Sequence, residues 1–339
     1  MLKLPSVFAL YQAEIDAEMR SILEERQSPL YDMMRYHFGW IDENGCPQCG
    51  SYGKAVRPTL CLLACRALGG HHRRALPAAA AVEFVHNYSL IHDDIQDDDR
   101  ERRHRATVWS VWGKPQAINA GTAMRMLANS ALRRLDIPLS RQAHLHYLLD
   151  EATIRLIEGQ YLDISYEGRF DITVADYVDM VGGKTASLFG CALEIGSAMA
   201  SEDTAGVNAF REFGWNLGMA FQVRDDMLGI WGSTEETGKP SCNDIRRRKK
   251  TLPVVHALQR ATGPQREELL RYYGGRSEDA ESVDRVLAVL NSVGSFDESE
   301  RLADSYTDKA KDAVASLSLD TGAARDIGEV VDFLQTRRF

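Results

Sequence analysis

The sequence lacks the features of a membrane or disulfide-stabilised protein. No apolar run approaches the roughly 20 residues that cross a bilayer. The apolar stretch from Leu2 to Leu10 is too short for a secretory signal, and acidic residues follow it. Six cysteines are scattered over 339 residues, which does not suit a disulfide framework in a chain of this size. We therefore expect a cytoplasmic protein with no membrane span.

The chain also lacks the excess of positive charge that nucleic-acid-binding proteins carry. Its formal net charge is −9 at pH 7, although a basic run stands at residues 246–250. An acidic chain without a recognisable nucleic-acid module predicts no nucleic-acid partner. A phosphate-bearing ligand would instead need a local basic patch, or a metal ion held by acidic side chains.

Alternating strand patterns, fixed-period repeats and flexible linkers are absent as well. Apolar residues recur at helical spacing along most of the chain, which predicts an all-α protein with one domain over residues 1–339. A loop rich in tryptophan, glycine and proline is expected over residues 107–119. The main helices are expected over residues 5–37, 59–68, 77–98, 116–135, 140–164 and 205–231.

The most distinctive stretch is an aspartate cluster at the end of an apolar helix. Five of the seven residues from Asp93 to Asp99 are aspartates. Asp93 and Asp97 are one helical turn apart and share a face, where they repel each other next to the negative end of the helix macrodipole. Carboxylates in an open arrangement suit Mg²⁺. The alternative interpretation is a solvated, charged helix end.

A second acidic pair, Asp225 and Asp226, ends another long apolar helix, with Gln222 on the same face. Basic residues accompany both clusters. Lys54 and Arg57 stand at the start of a helix, where cations and free N–H groups can bind an anion. Two acidic clusters, local cations and long apolar helices together predict a ligand with a diphosphate head and a hydrocarbon tail.

The order of these motifs resembles the trans-polyprenyl (isoprenyl) diphosphate synthases, and the pattern is most similar to that of bacterial geranylgeranyl and farnesyl diphosphate synthases. The resemblance extends from about Gly53 to Pro253. It rests on Asp93-Asp94-x-x-Asp97, Arg102-Arg103, Lys184-Thr185 and Phe221-Gln222-x-x-Asp225-Asp226. It implies an all-α fold of about ten or more helices around a central cavity, and a homodimer.

The resemblance also implies a reaction and a set of roles. The enzyme would condense isopentenyl diphosphate with an allylic diphosphate, with about three Mg²⁺ ions neutralising the leaving diphosphate. Metal binding would fall to Asp93, Asp94, Asp97, Asp225 and Asp226, with Asp244 nearby. Isopentenyl diphosphate would contact Lys54, Arg57, His86 and Arg103. The allylic diphosphate would contact Arg102, Lys184, Thr185, Gln222, Lys239 and Lys249. The residues central to catalysis would be Asp93, Asp97, Lys184 and Asp225.

Product length in the resembled family depends on residues that form a floor under the growing chain. Tyr88 and Ser89 lie about one turn before Asp93. One bulky and one small residue imply a partial floor, which favours a C20 product, with C15 as the alternative. The alternative interpretation is that Tyr88 is an ordinary core residue and that another helix forms the floor.

Three positions depart from the family pattern. Gly229, Ser233 and Thr122 stand where aspartate is common in the resembled family. These departures leave open a non-catalytic partner subunit of a heteromeric synthase. A terpene cyclase is a further alternative, but it has no need of cations for a second diphosphate.

One cysteine motif has no place in this scheme. Cys46 and Cys49 form a C-x-x-C, and Cys61 and Cys65 lie one helical turn apart. A four-cysteine metal site is conceivable, whereas an isolated, oxidisable loop pair is the simpler interpretation.

Overall fold

The computed structural model describes residues 5–48, 53–233, 241–275 and 280–335. The chain is almost entirely helical there, and the prediction of an all-α fold with ten or more helices is confirmed. The α-helices are α1 (Ser6–Glu24), α2 (Pro29–His37), α3 (Val56–Ala67), α4 (Leu76–Gln96), α5 (Val108–Trp112), α6 (Lys114–Leu132), α7 (Leu139–Tyr166), α8 (Val174–Val181), α9 (Ser187–Ala200), α10 (Thr204–Trp231), α11 (Asn243–Arg246), α12 (Leu252–Arg260), α13 (Gly263–Tyr273), α14 (Ala280–Ser292), α15 (Ser295–Val314) and α16 (Thr321–Gln335).

Helix α4 is the apolar helix that leads into the aspartate cluster. Its first turn contains Pro77, where the missing N–H is not needed, and a run of four alanines then packs in the core without exposure. The helix ends at Gln96, about two residues earlier than the sequence predicts. The reason is local: Asp97 caps the helix, and Asp98 adopts a positive φ of 52° that breaks the helical path.

A short hairpin follows α4 and adds two small strands to the otherwise helical chain. Strands β1 (Glu101–Arg102) and β2 (Arg105–Ala106) pair antiparallel. The two turn residues, Arg103 and His104, both have positive φ, at 55° and 60°, as a two-residue hairpin turn requires. Strands of two residues are too short to show an alternating pattern in the sequence.

The predicted loop over residues 107–119 is also wrong. Residues Val108–Trp112 form α5, and α6 begins at Lys114. Gly113, with φ of 82°, separates the two helices, and Pro115 occupies the first turn of α6. Glycine and proline here mark a helix boundary rather than an extended loop.

The Gly182-Gly183 pair widens a helix instead of breaking it. Residues Gly182–Ala186 form one π-helical turn, which joins α8 to α9. At Gly159 on α7, an added Cβ would lie 2.1 Å from the backbone nitrogen of Lys184. The glycines therefore let α7 approach the π-turn backbone to backbone, which fixes the position of Lys184 and Thr185.

The core lies between these helices. Helix α4 packs on α3 and α6, and α10 packs on α9 and α15. The large side chains Phe189, Phe210 and Phe213 have no exposed surface at this junction. The single domain over residues 1–339 stays a prediction. Among the described helices, none combines the length and apolar character that crossing a bilayer would require.

Candidate active site

The first aspartate motif presents Asp93 and Asp97 beside a lysine. Burial raises the pKa of Asp93 to about 6; Lys184 opposes this increase, whereas the like charge of Asp97 adds to it. The ammonium of Lys184 lies 2.5 Å from a carboxylate oxygen of Asp163 on α7. Two clustered aspartates and one cation are thus held at the C-terminal end of α4, where further positive charge would relieve the repulsion.

Asp94, between these two, faces the opposite way. Its side chain is 1% exposed, and its Oδ1 accepts hydrogen bonds from Arg102 Nε and Nη2 at 2.8 and 2.7 Å. Its Oδ2 has no hydrogen-bond partner among the described residues. Asp94 therefore ties the end of α4 to the hairpin and orients Arg102. Its predicted role as a direct metal ligand stays a prediction.

The second aspartate motif divides in a similar way. Asp225 is exposed, whereas Asp226 is 6% exposed and accepts three hydrogen bonds. The donors are Tyr177 Oη at 2.6 Å, the Leu252 backbone N–H at 2.9 Å and Gln222 Nε2 at 2.9 Å. Burial raises the pKa of Asp226 to about 7 against these bonds. Asp226 thus connects α10 to α8 and α12, and its coordination of a metal stays a prediction.

The missing aspartate at position 229 has a structural explanation. A Cβ added at Gly229 would lie 1.9 Å from Oδ2 of Asp244 and 2.5 Å from its Cγ. The carboxylate of Asp244 therefore occupies the place that a side chain at 229 would take. A carboxylate is present beside the second motif, but it comes from α11 rather than from α10.

The two motifs are linked through the π-turn. Lys184 attracts Asp93 of the first motif, and the neighbouring Thr185 donates from Oγ1 to Gln222 Oε1 at 2.9 Å. Gln222 in turn donates to Asp226. Two adjacent residues of the π-turn thus interact with the two aspartate motifs, Lys184 through its charge and Thr185 through Gln222.

A group of cations lies around His86 of α4, about two turns before Asp93. Arg57 Nη1 donates to Nε2 of His86 at 3.4 Å, and its guanidinium carbon lies 4.5 Å from the centre of the Phe189 ring. Nη2 of Arg103 lies 3.0 Å from the position of a Cβ built on Gly53, so a side chain at 53 would crowd it. Burial, followed by the charges of Arg57 and Arg103, lowers the pKa of His86 well below its usual value, so this imidazole is neutral near pH 7.

The two residues expected to set product length are both buried. Tyr88 is 5% exposed, meets His92 edge-on at 5.7 Å between ring centres, and has no hydrogen-bond partner for its hydroxyl among the described residues. Burial raises the pKa of Tyr88 to about 12. Ser89 donates from Oγ to the His86 carbonyl at 2.8 Å, so its hydroxyl turns back onto its own helix.

The remaining predicted positions fall into two groups. Lys54 is exposed at the start of α3, and Lys249 is exposed after α11. Lys239 lies outside the described residues. Thr122 on α6 and Ser233 after α10 are both exposed.

Two polar residues of the site were missed by sequence reasoning. Asp163 pairs with Lys184, and Tyr177 donates to Asp226. Both pairs join different helices over long sequence separations. Because no periodic pattern or spacing connects them, nothing in the sequence motifs distinguishes these two from ordinary helix residues.

The acidic side chains suit magnesium in type and arrangement. Among the described residues, no three histidine, cysteine, aspartate or glutamate side chains converge to form a complete metal cage. Mg²⁺ commonly uses only one or two carboxylates and completes its octahedron with water and substrate phosphates. Exposed or half-buried carboxylate oxygens at Asp93, Asp97 and Asp225 fit that kind of site.

The cysteines do not form the conceivable four-cysteine site within the described residues. Cys61 and Cys65 are buried in α3, whereas Cys46 is exposed, and Cys49 lies outside the described residues. Burial raises the pKa of Cys65 to about 11, so this thiol stays protonated and behaves as a core residue.

Comparison with known proteins identifies the family of this chain. The model of the Polyprenyl synthetase family matches residues 40–290. A (2E,6E)-farnesyl diphosphate synthase of Mycobacterium tuberculosis is 41% identical over 74% of this chain and 69% of its own length. A geranylgeranyl diphosphate synthase of the same organism is 38% identical over 90% of this chain and 86% of its own length.

Solved structures give the same result. A polyprenyl synthetase from Streptomyces coelicolor has a TM-score of 0.90 at 35% identity and covers 98% of this chain and 99% of its own. A polyprenyl synthase from Caulobacter crescentus, complexed with calcium and isoprenyl diphosphate, has a TM-score of 0.83 at 29% identity and covers 98% of this chain and 97% of its own. The predicted family and enzyme class are confirmed: the chain belongs to the polyprenyl synthetase family, as an enzyme of the short-chain trans-prenyl diphosphate synthase type.

Proposed function

We propose that this enzyme condenses an allylic diphosphate with isopentenyl diphosphate to form a C20 prenyl diphosphate, geranylgeranyl diphosphate. The observation that carries the proposal is the polar connection between the two aspartate motifs. Lys184 and Thr185, adjacent on one π-turn, interact with Asp93 and with Gln222 respectively. One π-turn thus interacts with both acidic motifs and carries the lysine between them.

Magnesium is the metal that fits these residues. Asp93 and Asp97 would hold it on one side, and Asp225 with Asp244 on the other. The calcium and isoprenyl diphosphate bound in the Caulobacter relative support this assignment. When bound, Mg²⁺ neutralises the diphosphate so that it can leave. Asp94 and Asp226, the other two predicted metal ligands, also receive hydrogen bonds from Arg102 and from Tyr177, which orient their carboxylates.

The predicted diphosphate-binding residues form two sets, one for each substrate. The allylic diphosphate lies against Arg102, Lys184, Thr185, Gln222, Lys239 and Lys249. Isopentenyl diphosphate lies against Lys54, Arg57, His86 and Arg103. As the allylic C–O bond breaks, the first set stabilises the growing negative charge on the leaving oxygens. The isopentenyl double bond then attacks the allylic carbon, and a proton passes to the departing diphosphate. This route requires no side-chain nucleophile.

Product length is assigned to the buried pair on α4. Tyr88 packs against His92, and its hydroxyl has no hydrogen-bond partner among the described residues; Ser89 is small, and its hydroxyl is bonded to the His86 carbonyl. The growing chain would therefore meet one bulky side chain and pass one small one. This partial floor supports C20, and C15 is the alternative if Tyr88 closes the space completely.

A homodimer is proposed from an exposed apolar face on α6 and α7. On α7, Tyr147, Ile154, Ile157 and Tyr161 recur at helical spacing and are 58%, 48%, 53% and 69% exposed. Contiguous apolar surface of this kind usually marks an association site. A second copy of this chain would cover it. Ile157→Glu should convert a dimer to a monomer in size-exclusion chromatography with light scattering, whereas a monomeric wild-type protein would rule the dimer out.

The function is tested by a product assay. The purified protein is incubated with Mg²⁺, isopentenyl diphosphate and, separately, C5, C10 and C15 allylic diphosphates, and the dephosphorylated alcohols are identified by length. We expect a C20 product that disappears with EDTA and in Asp93→Ala. Asp171→Ala, which removes an exposed aspartate paired with Arg169, is the matched control and should remain active.

Other products would change the assignment. A C15 product from the C5 and C10 starters, with no elongation of the C15 starter, would place the floor at Tyr88. A cyclised hydrocarbon from a supplied prenyl diphosphate would indicate a terpene cyclase. No product from any starter would favour the non-catalytic partner subunit, although the carboxylate of Asp244 at the Gly229 position argues against a decayed metal site.

A further inference from the structure

One ion pair joins the segment after the first aspartate motif to the turn after α11, which lies far away in the sequence. Arg247 donates from Nη1 to Oδ2 of Asp99 at 3.2 Å, and its Nη2 donates to Oδ1 of the same carboxylate. Both side chains are partly buried. A two-point contact between a guanidinium and a carboxylate fixes orientation as well as distance. The pair therefore connects the two segments in one defined geometry.

The Asp99 end of this pair is held firmly by its backbone. The N–H of Asp99 donates to the Asp94 carbonyl at 2.9 Å, just beyond the end of α4. Its carbonyl accepts hydrogen bonds from Trp109 Nε1 at 2.8 Å and from Thr107 Oγ1 at 2.9 Å. Because both backbone groups are bonded, the Asp99 carboxylate is presented from a fixed position two residues after Asp97.

The Arg247 end belongs to the turn that carries Asp244 and Lys249. The backbone N–H of Arg247 donates to the Asn243 carbonyl, and that of Lys249 donates to the Asp244 carbonyl, both at 3.0 Å. Arg248, between the two donors, has a positive φ of 54°, which turns the chain back on itself. Arg247 and Lys249 therefore belong to one compact turn, and a shift of one would move the other.

The residue after Lys249 anchors the same turn on its other side. Lys250 is 6% exposed, and its Nζ lies 4.1 Å from the centre of the Phe170 ring and 4.9 Å from that of Tyr273. An ammonium group at this distance from aromatic rings is held by cation–π attraction. Lys249 itself is exposed. It is thus a free-standing cation between two anchored neighbours, Arg247 and Lys250.

The charge of Lys249 also reaches the surroundings of the first motif. Burial raises the pKa of Glu167, next to the end of α7, and the negative charge of Asp97 adds to this increase. The positive charge of Lys249 acts in the opposite direction on the same carboxyl group. One side chain therefore lies within electrostatic range of both Asp97 and Lys249.

We infer that Arg247 is a positioning residue for the allylic diphosphate, and that its ion pair with Asp99 holds Lys249 beside the first aspartate motif. The inference rests on the proposed function, because it assumes that Lys249 contacts the allylic diphosphate. It makes a specific claim about substrates. Breaking the pair should weaken binding of the allylic diphosphate and leave isopentenyl diphosphate, which is assigned to other cations, unaffected.

The test compares Asp99→Asn with Arg247→Ala at saturating Mg²⁺. We expect each variant to raise the KM for the allylic diphosphate about fivefold, while the KM for isopentenyl diphosphate changes less than about twofold. The direction is decisive for Asp99→Asn. Removing a negative charge near an anionic substrate would lower this KM by electrostatics alone. A rise would therefore show that Asp99 acts through the position of Arg247.

Two further variants separate the ion pair from the charge of each residue. The charge-reversed variant Asp99→Arg/Arg247→Asp should recover part of the loss, and the effects of Asp99→Asn and Arg247→Ala should not multiply when they are combined. The matched control is Arg246→Ala, which removes an exposed charge from the same turn. Arg246 donates to the Ser241 carbonyl instead, and its loss should leave both KM values near those of the wild-type protein.

Three results would overturn the inference. These are an unchanged or lower KM for the allylic diphosphate in Asp99→Asn, equal effects of Arg246→Ala and Arg247→Ala, or a parallel rise of both KM values with a lower melting temperature. If the wild-type protein makes no product, the proposed function fails. Calorimetric binding of the C10 allylic diphosphate with Mg²⁺ to wild type and Asp99→Asn then decides the inference separately: weaker binding by the variant supports it, and equal affinity contradicts it.

Discussion

The two aspartate motifs look alike in the sequence but are built differently. In the first, Asp93 and Asp97 come from the end of one helix and reach the same side through a single turn of α4. In the second, Asp225 of α10 is exposed and Asp226 is buried. The space at Gly229, one turn later, is filled by the Asp244 carboxylate of α11. The first motif is therefore local, whereas the second is assembled from two segments of the chain.

In both motifs the second aspartate is buried and bonded. Asp94 accepts a hydrogen bond from Arg102. Asp226 accepts hydrogen bonds from Tyr177, Gln222 and the Leu252 backbone N–H. A pair of adjacent aspartates on a helix cannot point the same way, because neighbouring residues are about 100° apart. One member of each pair is therefore exposed or half-buried, and the other faces the core. Four predictions use this difference.

The largest effect is expected at the substrate-facing position of the first motif. Asp93→Ala should lower kcat by roughly 10³-fold, because it removes a carboxylate that positions the metal over the leaving diphosphate. The Asp93→Ala variant should still fold, because burial already makes the charged form of the Asp93 carboxyl group unfavourable. Steady-state kinetics with a circular dichroism melt would measure both. Activity within tenfold of wild type would contradict the proposed metal site.

The core-facing aspartate of the second motif should act on stability instead. Asp226→Ala leaves three buried donors without an acceptor, which should lower the free energy of unfolding by about 3 kcal/mol. Asp225→Ala, the adjacent and exposed control, should change it by less than about 0.5 kcal/mol while abolishing activity. Urea unfolding of both variants would measure the difference. Equal stabilities would show that Asp226 is not held as described.

Restoring the aspartate that the family pattern favours should damage this enzyme. Gly229→Asp places a side chain where the Asp244 carboxylate lies, and crowding of this kind destabilises by about 1 to 3 kcal/mol. Activity should fall with it. The double variant Gly229→Asp/Asp244→Gly should recover part of both, because it moves the carboxylate from α11 to α10. Full activity of the Gly229→Asp variant would show that the Asp244 carboxylate does not occupy the place of a side chain at position 229.

The smallest effect is a pH dependence in the metal-free protein. The pKa of Asp93 is raised by burial from near 4 in the unfolded chain to about 6 in the fold, so the native state binds more protons between those values. Its contribution is therefore most favourable below pH 4 and is lost as the pH rises through 6. We therefore expect the free energy of unfolding of Asp93→Asn to increase relative to that of the wild-type protein between pH 4.5 and pH 7.5. The increase should be on the order of 1 kcal/mol, measured in EDTA. An unchanged difference would contradict this shift.

The sequence was sufficient for the helical class, the family and the clustering of Asp93 and Asp97 at one helix end. These depend on periodicity and on spacing within one helix, which a linear pattern shows directly. The hairpin at Arg102 and the boundary at Gly113 were missed, because two-residue strands and first-turn prolines leave too little pattern.

Partners and directions of the buried residues were decided only by the tertiary structure. The pairing of Lys184 with Asp163, the three bonds to Asp226 and the Asp244 carboxylate at Gly229 all join residues of different helices. Such contacts arise from how helices pack, and packing depends on the complementary shapes of whole faces rather than on any short motif. The residue types alone predicted the chemistry, whereas the fold determined which of these residues are exposed and which are buried and hydrogen-bonded.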